Sequence, residues 1–143
     1  NLEAFTQRFL KLAADEIIPE QMTPQIDIDA VLDLQDINAK FMSELKKMNP
    51  FGPDNQKPVF CSLGVKDYGT SKLVGKDLEH IKLELIDDKS NTPIHGIAFG
   101  MHQHNAYIKE MKPFNICYTI EENTYNGNTS IQLMIKDIKP DDI

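Results

Sequence analysis

Leu78-Glu79-His80-Ile81-Lys82-Leu83-Glu84-Leu85-Ile86-Asp87 is the stretch whose reading decides the fold. Ile81, Leu83 and Leu85 fall on one side and His80, Lys82 and Glu84 on the other, the period of two that a half-buried strand requires. Outward from it, Lys57 to Leu73 alternates more loosely and ends in Gly69-Thr70-Ser71. Pro93 to Phe99 is apolar and β-branched enough for a third strand. Gly100 to Met111 loses the period and reads as a short helix or a capped turn. Phe114, Ile116, Tyr118 and Ile120 form a fourth alternating set, and Ile131, Leu133, Ile135 and Ile138 mark a fifth after Tyr125-Asn126-Gly127-Asn128.

The order β-β-β-α-β-β is that of an OB-fold, a five-stranded Greek-key barrel with a short helix between strands 3 and 4. The expected class is therefore an all-β core preceded by helical segments, α+β as a whole. Ile81, Leu83, Leu85, Phe99, Ile116, Tyr118, Leu133 and Ile135 are expected to point into one barrel, with His80, Lys82 and Glu84 outside. Residues 57–143 are read as the OB unit, 25–56 as a strand-helix lead-in with a Pro/Gly connector, and 1–24 as a helix from a preceding region.

Upstream, Phe5, Phe9, Leu12, Ala13 and Ile17 are spaced by three and four, an amphipathic helix stopped at Pro19. Gln25 to Leu34 alternates and reads as a short strand. Asp27, Asp29 and Asp33 on its wet side carry no glycine-containing calcium-loop pattern, so alternation explains them better than a metal. Asp36 is read as the cap of a second helix with Ile37, Phe41, Leu45 and Met48 on one side, stopped at Asn49-Pro50.

The chain has 143 residues and a net charge of −7, with 41% hydrophobic residues. No apolar run approaches the roughly 18 residues of a membrane helix. The missing initiator Met and signal peptide point to a segment of a longer protein. Cys61 and Cys117 lack metal-like spacing and read as reduced, buried thiols of a cytoplasmic protein. Charge is unevenly spread. Residues 1–36 hold two basic against eight acidic residues, and 57–82 hold five lysines against three acidic residues. That local basic stripe is compatible with strand binding, although an ordinary solvated surface would also carry it.

Pro50-Phe51-Gly52-Pro53-Asp54-Asn55-Gln56-Lys57-Pro58-Val59-Phe60 is a rigid connector. It also resembles the Pro-Phe-Gly-x-Gly-Asn-x-x-Pro-Val-Phe segment of the RecJ family, single-strand-specific exonucleases of the DHH phosphoesterase superfamily. Val74 to Leu83 resembles the family's Gly-Lys…His-Leu-Lys-Leu strand, Ile97-Ala98-Phe99-Gly100 its Ala-Ile-Ala-Phe run, and Gly127 to Asp137 its closing strand. Asp54 and Gln56 depart from the pattern at the connector's turn. The Asp-His-His motif and the Gly-Gly-His-like element are absent from these 143 residues. The resemblance implies a non-catalytic C-terminal OB domain of an enzyme of DNA repair and recombination. Its manganese or magnesium would sit in a core outside this chain, and this stretch would need no cofactor.

In OB-folds the strand 2–3 face and the loops joining strands 1–2 and 4–5 commonly hold the ligand. Lys72 and Lys76 are the phosphate candidates of the first loop, and His80 and Lys82 those of strand 2. Tyr125, with Asn126 beside it, is a stacking candidate in the other loop. His95, His102 and His104 lack the short-spaced cysteines of a structural zinc site. No catalytic residue and no metal ligand is expected. The leading expectation is a module that binds single-stranded DNA and guides it to the rest of a RecJ-like chain. The alternative is a structural or protein-docking role, with a single-stranded-DNA-binding protein as partner. No membrane is expected, and a free-standing hydrolase would need the missing motifs.

Overall fold

The computed structural model describes residues 4–8 and 26–141, and among these seven strands share one sheet. Residues 4–8 are the described part of α1; the remainder of the helix expected up to Pro19 lies outside the described residues. The order that follows is β1 (Ala30–Val31), α2 (Ala39–Lys46), β2 (Phe60–Asp67), β3 (Lys72–Val74), β4 (His80–Ile86), β5 (Ile94–Ala98), α3 (Asn105–Lys109), β6 (Phe114–Tyr125) and β7 (Asn128–Pro140). The domain is mostly β with few helices. β2 pairs with β6, β6 with β7, β7 in parallel with β5, and β5 with β4. β4 then meets β2 again at Lys66↔Ile86 and Asp67↔Leu85.

The stretch from Lys57 to Leu73 is two strands rather than one. Gly69 at φ 111° turns the chain, and the Asp67 carboxylate accepts the Ser71 N–H at 3.1 Å. Ser71 Oγ in turn accepts the Glu84 N–H at 3.0 Å, which supplies β4 with a partner where the neighbouring backbone swerves away. A side chain thus satisfies a ladder donor that the break would have stranded.

Ile81, Leu83, Leu85, Ile116, Tyr118, Leu133 and Ile135 are all buried, as alternation requires. Phe99 is not in the core: it is 57% exposed. β5 ends at Ala98, which faces inward opposite Ile81, so the next residue points out, and Gly100 at φ 68° leads the chain away. The inward places of β5 belong to Gly96 and Ala98. A Cβ on Gly96 would lie 3.3 Å from the Leu133 carbonyl, so the missing side chain lets β5 and β7 run close together. Ile108 of α3 and Phe114 of β6, both fully buried, add bulk to the core.

Ile135 and Ile138 are both buried although three residues apart. The β6–β7 register passes from Tyr118↔Ile135 to Cys117↔Asp137, so Lys136 is an extra residue that resets the alternation. At the other end of this hairpin, Asn126 and Gly127 both have positive φ, giving a two-residue turn that suits paired strands.

The lead-in strand contracts to Ala30–Val31, because a 3-10 turn begins at Leu34. Asn38, not Asp36, caps α2: its side chain accepts the Phe41 N–H at 2.9 Å. Asp36 instead accepts the N–H of Asp33 across the preceding turn. Met42 is buried on α2, whereas Met48 lies past the helix and is exposed. Asn38→Ala is expected to lower stability by about 1 kcal/mol in urea denaturation. An equal loss from Asp36→Ala would contradict the capping assignment.

Candidate nucleic-acid interface

The outer side of β4 is built by its two neighbours. β3 sets Lys72 opposite Lys82 and Val74 opposite His80. β5 sets Ile97 opposite Lys82 and His95 opposite Glu84, and Met134 of β7 stands beside Ile97. Because Ile81 and Leu83 point into the core, Lys82 and its cross-strand partners point out. Lys72 and Lys82 are exposed and have no ion-pair partner among the described residues. Glu84, the carboxylate two residues on from Lys82 on the same side of β4, is engaged by the Thr70 hydroxyl and lies 3.4 Å from His95 Nδ1.

His80 is engaged by its neighbours on this side. Its Nδ1 accepts the Gly100 N–H at 2.8 Å, and its Nε2 lies 3.0 Å from Glu79 Oε1. Its ring meets Phe99 edge to face, with centroids 5.0 Å apart. With both nitrogens engaged, the His80 ring is fixed against the exposed Phe99 ring. The Glu79 carboxylate is held below its usual range, first by its own backbone N–H and then by the Asp77 N–H.

The six candidate residues fall into two groups. Lys72, His80 and Lys82 share one patch, and Lys76 sits exposed in the adjoining turn that begins at Gly75. Tyr125, 75% exposed, and Asn126 stand at the tip of the β6–β7 hairpin. Met134 lies in the row of Lys82 and Asn128 pairs with Tyr125, so six residues of strand, roughly 20 Å, separate the two groups. Phe99 is the residue that sequence reasoning misplaced. The signal for it was the alternation of small Gly96 and Ala98, which marks the inward phase of β5 and leaves Phe99 outside.

Among the described residues no three His, Cys, Asp or Glu side chains come together to hold a metal ion. Asp29 accepts the Val59 N–H and Asp33 pairs with Lys89, so two of the three lead-in aspartates have structural partners. None of the described helices is long and apolar enough to cross a membrane.

A mostly β domain whose sheet returns from β4 to β2, with a lysine-bearing outer face on β3 and β4, suits an OB-type domain. Residues 28–137 match the family model described as the RecJ OB domain, and the chain belongs to that family. It is 24% identical over 138 residues to the single-stranded-DNA-specific exonuclease RecJ of Haemophilus influenzae, covering 96% of this chain and 24% of the relative. The RecJ of Bacillus subtilis is 26% identical over 131 residues, 91% of this chain and 16% of the relative. The chain thus spans about a quarter or less of the length of the curated relatives it matches. The crystal structure of RecJ in complex with Mn2+ from Thermus thermophilus aligns over 99% of this chain and 19% of that chain, with a TM-score of 0.62 at 16% identity, a likeness of fold.

Proposed function

We propose that this chain is the OB part of a RecJ-like 5′-to-3′ exonuclease and that it guides single-stranded DNA toward a catalytic core outside these residues. In this reading β2, β4, β5, β6 and β7 form the five-stranded Greek-key barrel of residues 57–143. Residues 25–56 are its lead-in, and 1–24 belong to the preceding region. The manganese or magnesium that activates water would be held by the parent's core. The observation that carries the reading is the Lys72–Lys82 pair, exposed on adjacent strands one row from the Phe99 ring. Two ammonium groups side by side suit consecutive phosphates, and an exposed ring one row away suits a base.

Oligonucleotide binding across a salt series tests it. Lys72→Ala, Lys76→Ala and Lys82→Ala should each weaken binding by a similar factor whatever the base sequence. Each lost contact should reduce the salt slope by about 0.7. Phe99→Ala should instead cost about 1–3 kcal/mol of affinity with little change in slope. Tyr125→Ala follows the same pattern if the strand reaches the hairpin tip past Asn126. Unchanged affinity in the triple lysine variant would refute the strand-binding face.

A second reading, docking of a protein such as a single-stranded-DNA-binding protein, has one observation in its favour. A mostly apolar groove of about 380 Å3 lies between α2 and β2, lined by Phe41, Leu45, Met48, Pro58 and Phe60. The net charge of −7 suits that reading as well. Met48→Glu should abolish such docking while leaving the salt slope for DNA unchanged.

A further inference from the structure

Cys61 of β2 and Cys117 of β6 stand directly opposite one another in an antiparallel ladder. Both are free thiols and both are buried, Cys61 completely and Cys117 with 9% of its surface open. Opposed residues in such a ladder have Cα atoms about 4.5–5.5 Å apart, within the span of roughly 4.4–6.8 Å that a disulfide bridges. The neighbouring pair, Phe60 and Tyr118, faces the core, so the two sulfurs share the other side of the same seam. Each thiol influences the ionisation of the other.

We propose that Cys61 and Cys117 are a cross-strand redox pair, a modification site at which a hydroperoxide converts two thiols into a disulfide stapling β2 to β6. Cys117, the one with an open surface, attacks the peroxide oxygen and becomes a sulfenic acid while the other oxygen leaves as water. The Cys61 sulfur then attacks the Cys117 sulfur and expels a second water. Two thiols and one hydrogen peroxide thus give one disulfide and two waters, the sulfurs supplying the two electrons that reduce the peroxide. The division of roles has an electrostatic basis. Interaction with Cys117, followed by burial, pushes the Cys61 thiol up, while interaction with Cys61 pulls Cys117 down against burial and the Asp137 charge, Lys139 adding a smaller pull in the same direction. Cys117 is accordingly the readier thiolate of the two.

The test is exposure of the intact, folded chain to hydrogen peroxide, followed by alkylation under denaturing conditions and mass spectrometry. The expected result is a loss of two hydrogens, a non-reduced peptide joining the segments that carry residues 61 and 117, and recovery of both thiols with dithiothreitol. Three results would overturn the proposal. One is that both thiols remain alkylatable after peroxide. Another is that Cys117 gains oxygen without a cross-link. The third is a bridge between two chains instead of within one, seen as a dimer on a non-reducing gel.

Discussion

Leu83→Ala should lower the stability of this domain by about 2–5 kcal/mol, the cost of deleting a fully enclosed leucine side chain. Leu83 is 0% exposed at the centre of β4, and its partner across the β4–β5 ladder is Gly96, which has no side chain to lean into the vacated space. The cavity therefore persists, and the cost falls in the upper part of that range. Urea denaturation gives the number. Lys82→Ala, one residue away on the outer side, should change stability by less than about 0.5 kcal/mol. Equal losses from the two variants would mean that the strand is not in this register.

Asp67→Ala is expected to cost about 1–3 kcal/mol and to change how the protein responds to acid. Asp67 is 1% exposed at the break between β2 and β3. Its Oδ1 accepts the Ser71 N–H, while Oδ2 takes no hydrogen bond and has the Lys109 ammonium 3.5 Å away as its charge partner. Lys109 also donates to the Ser71 carbonyl, so one carboxylate fixes both the chain break and the last turn of α3. Burial would push this carboxyl group up. The Ser71 hydroxyl, the Gly69 and Ser71 N–H groups and Lys109 outweigh it and hold the group below its ordinary range. A carboxylate depressed in the folded state stabilises fully above its unfolded value, near about 3.9, and that contribution fades as pH falls through the folded value. Asp87 acts with the same sign. Burial opposes its charged form, but the Leu34, Lys89 and Ser90 donors prevail. Unfolding midpoints measured from pH 7 down to about 2 should thus drop steeply for the wild type and less steeply for Asp67→Asn. Parallel curves would remove Asp67 from the acid response.

The residues legible in the sequence were those whose environment depends on their own strand. His80 to Ile86 alternates cleanly because each residue meets either core or water, and Asn126-Gly127 marks its turn through conformations that those two residues tolerate. What the sequence did not yield depends on partners far along the chain. The split at residues 68–71 rests on Ser71 reaching Glu84. The extra residue at Lys136 shows only as a spacing of three between Ile135 and Ile138, which a strict period of two cannot accommodate. The candidate lysines were readable as basic residues near strand 2. That Lys72 and Lys82 face each other, and that the His80 ring is fixed against Phe99, are matters of register and hydrogen bonding between separate segments.

The return of β2 to both β4 and β6 has a kinetic consequence. The β6–β7 hairpin closes around two residues, a step that takes about 1–10 μs in isolated hairpins. The β2–β6 seam instead joins partners such as Ser62 and Tyr118, 56 residues apart, so its loop entropy must be met before any contact rewards it. The expected order is hairpin first and seam last. Destabilising substitutions in the hairpin should then slow folding, whereas those along the seam, Ser62→Ala among them, should mainly hasten unfolding. Until the seam shuts, β2 and β6 each present an unpaired edge, and a nascent chain in that interval is most open to pairing with a neighbour of its own kind.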